Sequence, residues 1–108
     1  MASKQYKKLH DAQTQISDGE HVIVDNSSTL IVAIAGSSTS FQVSFTASID
    51  GTNYFPISGN KMGDYSVFAS SVTTIGDAYE FDVSALFFFK AKITAIGNGN
   101  ITVVANAI

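Results

Sequence analysis

Between Phe41 and Ile49 an apolar residue falls on every second position, Phe41, Val43, Phe45, Ala47 and Ile49, with Gln42, Ser44, Thr46 and Ser48 between them. Successive side chains point to opposite faces of a strand, so this spacing gives one apolar and one polar, uncharged face and predicts a half-buried β-strand. Asp50-Gly51-Thr52-Asn53 ends it, because Gly51 can take a positive φ and the Asp50 side chain can bond the backbone ahead of it. Tyr54, Phe55 and Pro56 resume an extended segment. Proline lacks the N–H of a ladder donor, which suits an edge position.

The same reading extends to both sides. Glu20 to Asp25 is a short strand with either Val22 and Val24 or Ile23 turned inward, and Leu30 to Ile34 is a continuous apolar run. Such a run implies burial on both faces or a second face used for assembly. The strand, Ser/Gly turn, strand order reads as an antiparallel meander. From Ser58 to Ile75 the signal weakens: Ser58-Gly59-Asn60 and Met62-Gly63-Asp64 are turn-like, Tyr65 to Ala69 and Val72 to Ile75 are short strands, and this region is the expected mobile loop. Tyr79, Phe81 and Val83 alternate with Glu80 and Asp82. Leu86 to Ala95 puts Phe87, Phe89, Ala91, Ile93 and Ala95 on one face, leaving Phe88 as the aromatic among the outward residues. Gly97-Asn98-Gly99-Asn100 is a hairpin signal, since both residue types tolerate positive φ. Ile101, Val103, Ala105 and Ala107 complete the inward set. About eight strands at short spacing predict an all-β antiparallel β-sandwich of jelly-roll type.

Residues 1–17 break this pattern. They are polar, and their few apolar residues, Tyr6, Leu9, Ala12 and Ile16, recur at spacings of three or four. An isolated helix so short is marginal. The stretch therefore reads as an N-terminal arm that orders on a partner, with the β-sandwich domain over 18–108.

The strand running into S-I-D-G-T-N-Y-F-P-I, Ser48 to Ile57, resembles a segment of the small β-sandwich accessory virion proteins of tailed bacteriophages, the head-decoration, head-fibre and tail-accessory components. Val83 to Ile108, a late strand with a closing Gly-rich hairpin, is similar to the same group. The resemblance covers Val22 to Ile108 and implies a structural virion protein, a capsid decoration or head/tail accessory, made in the host cytoplasm and carried in the virion. Its implied partners are other copies of itself and other virion proteins, such as a major capsid or tail protein.

Composition narrows the chemistry. With no cysteine, disulfide scaffolds, thiolate metal sites and cysteine nucleophiles are all excluded. The formal net charge is −3, and three of the six basic residues, Lys4, Lys7 and Lys8, crowd the N-terminus, so the folded part offers nucleic acid no basic face. No window approaches the ~20 apolar residues of a membrane-spanning helix, so no membrane partner is expected. Charged residues make up only 14% of the chain. That figure is well below the ~25% usual for soluble domains, which points to apolar area hidden against a partner.

Neither His10 nor His21 lies in a catalytic motif and no G-x-S-x-G is present, so no enzyme and no cofactor is expected. D-G-T-N lacks the alternating ligands of a calcium loop, which makes Asp50 a turn former rather than a metal ligand. The main competitor is a carbohydrate-binding adhesion module. Asp50, Asn53, Tyr54 and Phe55 combine aromatic rings with polar side chains on one turn, as sugar sites do. The structural reading of the same residues has Phe55 plugging the end of the sandwich and Tyr54 capping it.

The expectation is a non-enzymatic structural protein that self-associates as a homo-oligomer and docks on a larger particle. Lys4, Tyr6, Lys7, Lys8 and Leu9 would form the assembly arm, and Ile31, Ala33 and Phe88 the interface.

Overall fold

The computed structural model describes residues 5–108. Eleven strands occupy them: β1 (Gln5–Gln13), β2 (Val22–Ile23), β3 (Thr29–Gly36), β4 (Phe41–Ser48), β5 (Phe55–Pro56), β6 (Gly59–Lys61), β7 (Asp64–Ala69), β8 (Ser71–Val72), β9 (Ala78–Asp82), β10 (Phe88–Ile96) and β11 (Ile101–Ala107). They form two antiparallel sheets, one ordered β1-β11-β3-β9-β6-β7 and the other β2-β10-β4-β5, with β8 also on β4. No helix is present among the described residues.

The alternation read from β4 fills the space between the sheets. Phe45 is fully buried and meets Phe81 at 4.9 Å, with Tyr79 and Phe89 within 6.0 Å, so rings from both sheets interlock in one aromatic cluster. Leu30, Val32 and Ile34 of β3 and Ile101, Val103, Ala105 and Ala107 of β11 supply the aliphatic remainder. Val22 and Val24 turn inward, while Ile23 is exposed.

The connections differ from a meander. β3 and β4 belong to different sheets, and so do β10 and β11, so Gly36 to Ser40 and Gly97 to Asn100 are crossings between layers rather than hairpins. Stacked sheets lie ~10 Å apart, a gap that such four- or five-residue segments span. The two crossings meet at one end of the sandwich. Asn98 Oδ1 accepts from the Thr39 N–H at 2.9 Å and from Ser38 Oγ at 3.1 Å, and Asn98 Nδ2 donates to Thr39 Oγ1 at 2.8 Å. The positive φ expected of an Asn/Gly turn is present at Gly99, where it serves this crossing.

Residues 5–13 are not an arm. They form edge strand β1, paired antiparallel with β11 from Gln5–Ala107 to Gln13–Ile101. Leu9 is 2% exposed and joins the core, and His10 Nε2 bonds the Ala91 carbonyl of the opposite sheet at 2.6 Å. Two register shifts, between Lys8 and His10 and between His10 and Gln13, break the alternation, which is why a period of two is not visible in the sequence.

Three smaller expectations also change. Ile49 is 57% exposed because the inward alternation stops at Ala47, and Ser48 is buried instead to bond the following turn. Phe87 precedes β10 and is 46% exposed, and a register shift between Ile93 and Ala95 turns Ala95 out of the inward set. The weak region is ordered as β6, β7 and β8, with β6 falling on the Gly59-Asn60 segment that looks turn-like in sequence.

Candidate functional site

The Asp50 turn is closed on itself. Asp50 Oδ1 accepts from Ser48 Oγ and from the Thr52 and Asn53 N–H groups, each at 2.9 Å, while Oδ2 accepts from Asn53 Nδ2 at 3.1 Å. These bonds, led by the Asn53 and Thr52 amides, hold the Asp50 carboxyl far below the usual carboxylate range. A carboxylate so committed is a turn staple. Tyr54 is half-buried with Lys90 Nζ 4.7 Å above its ring, and burial pushes its hydroxyl pKa up. Phe55 is 41% exposed at the edge of its sheet and does not plug the sandwich. The four residues share one turn, but the polar groups of Asp50 and Asn53 are largely spent on that turn's own structure.

The interface candidates split between two faces. Ile31 and Ala33 alternate outward from β3, which lies in the middle of the six-stranded sheet between β11 and β9. Register places Val104 and Ala78 on either side of Ala33, and Thr102 opposite Ala35. The centre of this outer face is thus Ile31, Ala33, Ala35, Ala78 and Val104, an uncharged surface of mostly small side chains. One further row crosses the whole sheet, Tyr6, Asn106, Ile31, Glu80, Asn60 and Phe68. In it Asn106 Oδ1 is buried yet has no hydrogen-bond partner among the described residues.

Phe88 lies on the opposite sheet. It pairs with exposed Ile23, packs edge-on against His21 at 5.0 Å, and with Ile23, Asp25 and Phe87 lines a shallow, mainly apolar cleft of about 270 Å³. Sequence reasoning found Phe88 by its break from the polar outward set, but missed Phe87 and Ile23. Both follow from where β10 begins and β2 pairs, which one chain's periodicity does not reveal.

Of the arm residues, Lys4 lies outside the described residues. Tyr6 is 65% exposed on the outer face, Lys7 pairs with Glu20 at 3.7 Å, Lys8 with Asp11 at 3.6 Å, and Leu9 is in the core. No group of three or more His, Asp or Glu side chains able to hold a metal occurs among the described residues.

A two-sheet antiparallel sandwich with exposed apolar positions on both outer faces defines the class. The XepA family model matches residues 4–107, and the chain belongs to that family. It is similar to the SPbeta prophage-derived uncharacterized protein YomS of Bacillus subtilis (strain 168), 31% identical over 95 residues that span 88% of this chain and 79% of that protein. The crystal structure of the SPBc2 prophage-derived protein YomS superposes with a TM-score of 0.91 at 28% identity, covering 97% of this chain and 92% of that one. The PBSX exported protein XepA superposes with a TM-score of 0.92 at 25% identity over 97% of this chain. The chain spans only 37% of that longer protein.

Proposed function

We propose that this protein is a non-enzymatic structural component of a tailed-phage particle, a capsid decoration or head/tail accessory, that self-associates and docks on other virion proteins. The observation carrying this reading is the outer face of the six-stranded sheet. Leu30, Val32 and Ile34 supply the core from β3, so Ile31 and Ala33, flanked by Ala78 and Val104, leave partly exposed apolar area on the outer face. Contiguous apolar area left exposed is the usual mark of an interaction surface. Similarity to a prophage-derived protein fits a particle protein, and the export named for another relative fits release with the phage.

The test is the mass in solution by light scattering across a dilution series, for the wild type and for Ile31→Asp/Ala33→Asp. A closed homo-oligomer that survives dilution, reduced to monomer in the variant with an unchanged β circular-dichroism spectrum, supports the reading. A wild-type protein that stays monomeric at all concentrations overturns self-association. Its absence from purified induced particles by immunoblot overturns the virion assignment.

A further inference from the structure

A polar cavity of about 350 Å³ opens on the outer face of the six-stranded sheet, lined by Ser28, Thr29, Asn60, Glu80, Asp82 and Ser84. It forms because β6 pairs with β9 only at Asn60–Glu80 and Lys61–Tyr79, so β9 runs on to Asp82 with no neighbour on that side. Volumes of this order accept ligands the size of a sugar unit or two.

Its hydrogen-bonding groups are only partly used. Asp82 Oδ1 takes the Ser84 N–H and hydroxyl, which lowers the Asp82 pKa and leaves Oδ2 open. Asn60 Nδ2 donates to the Tyr65 carbonyl at 3.0 Å, leaving Oδ1 open. Among the described residues the lysine ion pairs are Lys7–Glu20, Lys8–Asp11 and Lys61–Asp77, so neither cavity carboxylate is neutralised by one. The rim therefore presents acceptors, carboxylate and amide oxygens, with serine and threonine hydroxyls able to give or take a bond.

Exposed aromatic side chains of β7 stand beside the cavity, outside the residues that line it. The nearby Glu80 carboxylate raises the Tyr65 hydroxyl pKa, and the Tyr65 side chain is 54% exposed. Phe68, 68% exposed, pairs with Asn60 on the next strand. Acceptor-rich polar groups beside an exposed ring match a ligand with several hydroxyl donors and an apolar C–H face.

We propose that this cavity is a binding site for a neutral glycan, with Glu80, Asp82 and Asn60 accepting its hydroxyls and Tyr65 stacking on its ring face. Two carboxylates exclude phosphorylated and sialylated sugars by like-charge repulsion. The site is separate from the Asp50 turn, whose carboxylate is already consumed.

The test is a titration of isotope-labelled full chain, followed by backbone amide NMR, with the methyl glycosides of glucose, galactose, mannose and N-acetylglucosamine, and separately with calcium chloride. Saturable shifts at residues 28–29, 60, 65 and 80–84 with at least one glycoside support the site. Tyr65→Ala and Glu80→Ala, each checked for an unchanged melting temperature, should weaken that binding by about tenfold or more, whereas Tyr65→Phe should retain it within about threefold. No saturable shift with any glycoside overturns the proposal, as do shifts confined to residues 50–55 or shifts at the cavity with calcium alone.

Discussion

Leu9→Ala separates the two accounts of the N-terminal stretch. If residues 5–13 served mainly as an arm for another particle protein, the substitution would weaken docking and leave the isolated domain's stability unchanged. In the structure Leu9 is 2% exposed and packed into the core cluster, while neighbouring His10 reaches across to the Ala91 carbonyl. Burying a leucine is worth about 1.5–3 kcal/mol, and leucine-to-alanine changes in cores cost about 2–5 kcal/mol once the cavity is included. β1 is an edge strand with one neighbour and two register shifts, so it can relax around the vacancy. That places the expected loss at the lower end, about 2–3 kcal/mol. With a urea m-value of about 1–3 kcal/mol per molar for a domain of this size, the unfolding midpoint should fall by about 0.7–3 M. The control is Tyr6→Ala on the same strand, 65% exposed, which should stay within about 0.5 kcal/mol of wild type. Equilibrium urea unfolding followed by circular dichroism reads both. A Leu9→Ala midpoint indistinguishable from that of Tyr6→Ala refutes the assignment of β1 to the folded core.

Two further outcomes follow from the same packing and polar geometry. Phe45→Ala, at the centre of the ring cluster, should cost about 3–5 kcal/mol by the same urea assay, a large part of the stability of any domain this small. Asp50, Asp64 and Asp82 all have pKa values lowered by hydrogen bonds to the folded chain, so the stability they contribute is fully present above the ordinary carboxylate pKa of about 4 and is lost as pH falls below it. Thermal melts should therefore decline on acidification below that point, with a smaller decline in Asp50→Asn.

What the sequence made legible was whatever a period of two carries. β4, β9, β10 and β11 announce themselves because their inward residues alternate without interruption through most of their length. β1 was opaque because bulges interrupt its phase and, over residues 6–13, only Leu9 and His10 are buried. Its pairing with β11 is made by backbone hydrogen bonds, which leave no side-chain signature. The layer to which each strand belongs was equally hidden. Gly36 to Ser40 and Gly97 to Asn100 contain good turn residues, yet turn chemistry states that the chain bends, not whether it bends beside its neighbour or over to the other sheet. The candidate surfaces show the same division. Ile31, Ala33 and Phe88 stood out as apolar residues where alternation demanded polar ones, whereas the cavity at Glu80 arises from the early end of β6 and is a property of register alone.

The outer face of the six-stranded sheet carries both proposals, and their positions make them compatible. Neighbouring strands lie about 4.8 Å apart, so Asn60 on β6 stands two strands, about 10 Å, beyond Ile31, with Tyr65 farther still on the edge strand. A partner that covers the uncharged centre over β11 and β3 can therefore stop at β9 and leave the β6–β7 side open to solvent. The direction of the charges agrees with this division. Glu80 and Asp82 border the apolar centre, and burying them without cations would cost more than the small apolar side chains beside them return. An interface centred on β3 therefore has its natural limit at β9, where the cavity begins. A single open polar site of this kind binds sugars weakly, but a closed ring of copies would present one cavity per subunit at fixed spacing, and linked weak sites gain affinity without any new contact. On that reading self-association is what makes the cavity useful. Ile31→Asp/Ala33→Asp should leave the affinity for a soluble methyl glycoside unchanged while abolishing retention on a surface coated with the same sugar, and equal retention of monomer and oligomer would sever the two functions.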